Sequence, residues 1–189
     1  MAGFRTGEIT SMMPVFMEFA DKMHALPQYA SYQFILAAAP SRSMSDYSKY
    51  LTGREGYVKV VFGQSYAVLR HAEAAVVNSG TASLETALIG TPQVVAYKGA
   101  EINFVIAKQI IKIRFISLGN LILNRMCFRE LLQYYCTPEN VLQEVRRMIE
   151  DNEYRETMLA GYQEIRNALG GRGASAAVAK AMIDELGKN

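Results

Sequence analysis

Ala74–Gly90, AAVVNSGTASLETALIG, decides how the rest of this chain is read. A short apolar run is followed by Asn78-Ser79-Gly80-Thr81, and then by Leu84, Ala87 and Leu88 at helical spacing, which predicts a strand, a tight turn and a helix. Gly80 lets the turn take a backbone conformation closed to residues with a Cβ. The first amides of the following helix have no partners inside it, so they point at whatever lies in front of the turn, and an anion is the natural occupant. Ser79 and Thr81 add hydroxyls at that mouth, and Glu85, four residues after Thr81, falls on the same side one turn further in. A capping box needs a spacing of three, so the Glu85 carboxylate is left to accept from sugar hydroxyls, as acidic residues do for ribose in other nucleotide-binding folds. A plainer reading has Ser79 or Thr81 capping the helix and Glu85 complementing its dipole. These residues alone leave both readings open.

Working outward, apolar strand runs alternate with helical patterns. Ile9, Met12, Met13, Phe16 and Phe19 predict a helix to about Leu26; Gln33–Ala39 and Val58–Phe62 read as buried strands, with a polar helix between them ending near Thr52. Gln64–His71 is a short helix, Ala74–Val77 the central strand and Thr81–Ile89 its helix, closed by Gly90 ahead of strand Pro92–Tyr97. Glu101–Ile111 is an amphipathic helix, Phe115–Leu118 a short last strand, and Gly119–Arg125 a loop leading to a helical turn around Glu130–Gln133. Helices Pro138–Asp151, Glu153–Leu169 and Ala174–Leu186 finish the chain. The fold class is therefore α/β, a Rossmann-like parallel sheet with helices on both faces and right-handed crossovers, forming a single domain over residues 1–189 with carboxyl-terminal helices at about 137–187. Ligands of such sheets bind at the carboxyl ends of the strands, where Gly63, Asn78–Thr81, Tyr97–Gly99 and Gly119–Arg125 gather. A Gly-x-Arg turn like Gly3-Phe4-Arg5 normally follows a strand, so the first strand of the sheet is expected to be missing from this sequence.

Bulk composition narrows the function. Half of the 189 residues are hydrophobic, a fifth are charged and the formal net charge is +2, which points neither to disorder nor to nucleic acid. Cys127 and Cys136 lie outside CxxC or metal-ligand spacing, and no apolar run is long enough to span a bilayer, so a reducing, cytoplasmic setting is expected. GxGxxG after a strand, GxxxxGK[ST] and G-x-S-x-G are all absent, and His24 and His71 lie too far apart in sequence to indicate a metal pair. Lys108, Lys112 and Arg114 beside Ile106, Ile110, Ile111 and Ile113 suit an anionic membrane surface as well as ordinary packing of a crossover helix.

Several stretches together resemble the carboxyl-terminal half of the lipid-A-disaccharide synthase family. They are Gly3-Phe4-Arg5 with Glu8-Ile9, Ser79-Gly80-Thr81-Ala82 with Leu84-Glu85, and Gly90-Thr91-Pro92 with Val94-Val95 and Tyr97. The series continues through Ile116-Ser117-Leu118, Asn120-Leu121, Arg125 and Glu130-Leu131-Leu132-Gln133. The resemblance implies one half of a GT-B glycosyltransferase, built from two facing Rossmann-like domains. Such an enzyme is inverting and joins UDP-2,3-diacylglucosamine to 2,3-diacylglucosamine 1-phosphate, giving lipid A disaccharide and UDP. It implies that Gly3, Ser79, Gly80 and Thr81 meet the donor diphosphate, that Glu85 accepts from the ribose, and that Arg5 neutralises charge on the leaving UDP. Asn120, Arg125 and Gln133 would line the cleft near the donor. No metal or other cofactor is called for, and the implied location is the cytoplasm, peripheral on the inner face of the bacterial inner membrane.

The chain departs from the family pattern at three places. Phe4 stands where serine is usual, Gly119 where proline is usual and Asn124 where glycine is usual. The implied partners are the UDP-sugar donor, the acylated glucosamine phosphate acceptor and an amino-terminal domain that supplies most of the acceptor site and the catalytic carboxylate base. Without that domain the chain is expected not to turn over, so no catalytic residue is assigned within it. Other UDP-sugar enzymes of the fold, an N-acetylglucosamine transferase or a 2-epimerase, and a non-catalytic nucleotide-binding module are the alternatives.

Overall fold

The computed structural model describes residues 6–78, 80–99 and 114–170. Helix α1 (Thr6–His24) buries Ile9, Met12, Met13, Phe16, Ala20 and Met23, the face its helical periodicity marks out. A 3-10 turn over Pro27–Tyr29 leads into β1 (Phe34–Ala38), followed by the short helix α2 (Ser48–Leu51), β2 (Val58–Phe62) and α3 (Ser65–His71). Then come β3 (Ala75–Val77), α4 (Gly80–Ile89), β4 (Gln93–Tyr97), α5 (Leu118–Leu123) and β5 (Glu130–Leu132). Helices α6 (Pro138–Glu150) and α7 (Asn152–Leu169) complete the described residues.

Every strand pairing is parallel. β1 lies against β2, from Phe34 opposite Val58 to Ala38 opposite Phe62, and β4 lies between β3 and β5, with Ala75 opposite Gln93 and Val95 opposite Glu130. Val94, Val95 and Ala96 are completely buried in succession because helices cover β4 on both faces. α1 packs on α6 and α6 on β3 and β4, while α4 also packs on β3 and β4 and carries α7. Local chemistry sets the helix starts: the Thr137 hydroxyl accepts from the Asn140 amide at 3.2 Å with Pro138 next to it, and the Asp151 carboxylate accepts from the Tyr154 amide at 2.9 Å. Among the described residues the five strands form two sheets, β1-β2 and β3-β4-β5, with no strand between β1 and β3.

The strands and helices up to β4, and the long helices α6 and α7, lie within a residue or two of their sequence-based positions, and the segment from Phe115 to Gln133 does not. Phe115–Leu118 is not a strand, Gly119–Arg125 is mostly helix α5, and Glu130–Leu132 is strand β5 instead of a helical turn. The Glu130 carboxylate explains the exchange. It accepts from the Ile116 amide at 2.8 Å and the Ser117 amide at 3.1 Å, and those main-chain groups are thereby held away from the ladder. Leu131, buried to 1% exposure, takes the place beside Ala96. The predicted helices Glu101–Ile111 and Ala174–Leu186 lie outside the described residues.

Candidate functional site at the carboxyl edge of the sheet

The carboxyl ends of β3, β4 and β5 converge on one edge. β3 leaves through buried Asn78, and α4 opens at Gly80 with φ +36°, the positive value that the turn requires of a residue without a Cβ. Ser83 and Thr86 turn their hydroxyls back onto the helix, donating to the carbonyls of Gly80 and Ala82 at 2.7 Å each. Thr81 stays exposed at the mouth. Glu85, one turn in, accepts a hydrogen bond from Tyr66 Oη of α3 at 2.9 Å, and that carboxylate holds the Tyr66 phenol above the usual tyrosine range.

At the exit of β4, the Ser11 hydroxyl donates to the Lys98 carbonyl at 2.7 Å and the Lys98 amide donates to Met12 Sδ at 3.2 Å. The first turns of α1 are thus brought to the same edge as the start of α4. Beyond β5, Gln133 is held at φ +50°, a left-handed conformation uncommon for a residue with a Cβ. It is only 6% exposed; its Oε1 accepts from the Gly99 amide at 3.2 Å, while its Nε2 is buried with no partner. A Cβ at Gly99 would meet Tyr97 Oη at 2.7 Å, so the backbone there runs close beneath the tyrosine ring. Gly80 follows β3 and Gln133 follows β5, with β4 between the two strands. The start of α4 is the kind of backbone that receives an anion, and the buried Gln133 amide is a donor without a partner on the same side of the sheet.

The remaining sequence-predicted residues are placed differently. Asn120 has no exposed surface: its Nδ2 donates to the Phe128 carbonyl at 2.9 Å and to Glu130 Oε1 at 2.8 Å, and its Oδ1 accepts from the Cys127 and Phe128 amides at 2.8 and 3.3 Å. Every hydrogen-bonding position of its amide is used inside the protein. Arg125 pairs with Glu164 of α7 at 2.6 Å. Gly80, Thr81 and Glu85 lie on α4 directly after β3 and Gln133 directly after β5, and Gly3, Arg5 and Ser79 lie outside the described residues. Tyr66 and Ser11 carried no motif that marks them. Gln133 was legible as a residue type, but its strained backbone and unpartnered amide were not. Among the described residues, no group of three His, Cys, Asp or Glu side chains is placed to hold a metal.

The family model for lipid-A-disaccharide synthetase matches residues 1–182. The chain belongs to the lipid-A-disaccharide synthetase family. The lipid-A-disaccharide synthases of Anaeromyxobacter dehalogenans and Myxococcus xanthus are 33% and 34% identical to it, over 96% and 98% of this chain. Those alignments cover 47% and 48% of the two relatives, so the chain spans about half the length of the curated relatives it matches. Among solved structures, the glycotransferase of kitacinnamycin superposes with a TM-score of 0.53 at 20% identity, over 88% of this chain and 38% of that one. The two thus share a glycosyltransferase fold of GT-B type.

Membership of the lipid-A-disaccharide synthetase family puts the three departures in context. Gly119 lies in the first turn of α5, where a Cβ would meet the Phe128 ring at 2.8 Å and Ile165 Cδ1 at 3.0 Å, so close packing favours glycine there. Asn124 caps α5 at φ 50°, ψ 27°, and asparagine is the residue that takes the place of glycine most readily in that left-handed position. Phe4 lies outside the described residues.

Proposed function

We infer that this chain is the donor-binding part of an inverting glycosyltransferase that joins UDP-2,3-diacylglucosamine to 2,3-diacylglucosamine 1-phosphate. The products are lipid A disaccharide and UDP. The observation that carries the donor assignment is the carboxyl edge, where the α4 mouth at Gly80 and the buried, unpartnered Gln133 amide flank the end of β4. In this reading the diphosphate sits before Gly80 and Thr81, together with Ser79, and the positive end of the α4 dipole stabilises charge developing on the departing UDP. Glu85 receives the ribose hydroxyls, with Tyr66 holding the carboxylate on its other side. Gln133 Nε2 donates to the donor, while Gly3 and Arg5 add their contacts from before α1. Asn120 and Arg125 act from behind: Asn120 fixes the loop that carries Glu130 and β5, and Arg125 ties that loop to α7.

In this reading residues 1–189 act as one donor-binding domain, and the acceptor and its activating base belong to an amino-terminal domain. The acylated substrates put the complete enzyme at the inner face of the bacterial inner membrane. No helix among the described residues is long and apolar enough to cross a membrane.

Calorimetric titration with UDP, with ADP as the control, tests the donor assignment. Uridine-selective binding weakened about tenfold or more by Glu85→Ala, and by a smaller factor by Thr81→Ala, is the expected result. Absence of UDP binding by a demonstrably folded chain removes the assignment.

A further inference from the structure

The Glu85 carboxylate is held from a second helix. Its Oε1 accepts from Tyr66 Oη at 2.9 Å, a contact that crosses from α3 to α4. Among the described residues, Tyr66 is the one side chain that bonds to this carboxylate. A carboxylate offers about four acceptor positions, two on each oxygen, so the phenol takes one and leaves enough for two sugar hydroxyls.

Tyr66 is itself fixed from behind. α3 is seven residues long and buries one side chain, Leu69, at 3% exposure. Thr91 Oγ1, just past the end of α4, donates to the Leu69 carbonyl at 2.6 Å and ties the last turn of α3 to the far end of α4. Residues three apart share a side of a helix, so Tyr66 lies on the same side as Leu69 and its phenol is directed at α4. The tyrosine is nevertheless 55% exposed, so burial of its ring does not account for its placement. A glutamate on a helix surface has three rotatable bonds and points in many directions, a freedom that each bound ligand would have to remove. Tyrosine reaches the same point with two rotatable bonds and a rigid ring. The hydroxyl–carboxylate bond belongs to the stronger, charge-assisted class. The Tyr66 phenol, held above the usual tyrosine range by Glu85, keeps its proton and remains the donor at neutral pH.

We propose that Tyr66 is a positioning residue that gives the site its preference for ribonucleotides, by holding the Glu85 carboxylate in the orientation in which its free acceptor positions meet the vicinal hydroxyls of the ribose. The inference rests on the donor reading above and assigns to Tyr66 no contact with base or phosphate. Without the phenol hydroxyl, Glu85 remains charged and in place, but the ligand has to order it. The cost therefore falls on ligands that carry the hydroxyls and spares those that lack them. A plain tie between the two helices would act differently, because loosening it displaces α4 and weakens every ligand alike.

Titration calorimetry of the full chain compares UDP with 2′,3′-dideoxy-UDP, which keeps the base and the diphosphate and lacks both hydroxyls. The native chain is expected to bind UDP about tenfold or more tighter than the dideoxy ligand. Tyr66→Phe, which retains the ring, should weaken UDP about threefold or more and move the dideoxy ligand by less than about twofold. In the Glu85→Ala background the same change should leave UDP within about twofold, because no carboxylate is left to orient. The proposal falls if Tyr66→Phe leaves UDP affinity unchanged or raises it, if it weakens both ligands alike, or if its effect on UDP is the same with and without Glu85. In each of those cases the native chain still binds UDP and the donor reading stands. A native chain that binds no UDP removes the donor reading and this proposal together.

Discussion

Gln133 combines two costs that a stable fold would ordinarily shed, a left-handed backbone and a buried amide with no partner. Replacement by glycine separates stability from binding. Gln133→Gly relieves backbone strain and the orphaned donor at the loss of one hydrogen bond to Gly99, so the unfolding free energy should change by less than about 1 kcal/mol. UDP affinity should nevertheless fall several-fold, and thermal unfolding beside titration calorimetry reads both. Asn120 shows the opposite pattern, a polar residue of the resembled family whose hydrogen bonds all end inside the protein. Sequence gave the identity of both residues in the same series. Only the hydrogen-bond inventory separates a donor held in reserve from one already used.

At the scale of elements, two contacts decide how the layers hold. Gly161 of α7 lies against the Cys127 sulfur, so a Cβ there collides with a buried, inflexible neighbour. Gly161→Ala should destabilise the chain by roughly 1–3 kcal/mol in denaturant unfolding, and Cys127→Ala should recover part of that loss, because the two side chains compete for one space. On the other side of the molecule, Arg54 clasps Asp21 of α1 through two hydrogen bonds, at 2.7 and 2.6 Å, and Tyr57 Oη donates to the same carboxylate at 2.6 Å. The Arg54 hydrogen bond holds the Asp21 carboxyl below the usual aspartate range. A lowered folded-state value stabilises the protein above the unfolded-state value, and that contribution is lost as pH falls through the folded-state value. The stability gap between the native chain and Asp21→Asn should therefore be full at pH 7 and shrink below about pH 4, as thermal melts across that range will show. Elements before β4 were legible because their apolar runs are bounded by turn residues and alternate with clear helical periodicity. Phe115–Leu118 and Glu130–Leu132 exchanged roles because short apolar runs carry no period, and a carboxylate fourteen residues from Ile116 in sequence settled which one joined the sheet.

For the whole molecule, the alternation of strands and helices was enough to indicate parallel strand pairing. Strand edges left unpaired among the described residues favour association. The purified chain should sediment with a weight that rises with concentration, or melt over a broad range; a monodisperse monomer with one sharp transition would contradict this. The two cysteines add a consequence of a different kind. Cys136 is buried against Met12 of α1 and Cys127 against Met158 of α7, and burial pushes both thiols up to about 11. Neither reacts until the helix above it lifts. The chain thus carries two internal clocks, one beneath each helical layer, and the order in which a thiol reagent modifies them reports which layer peels away first.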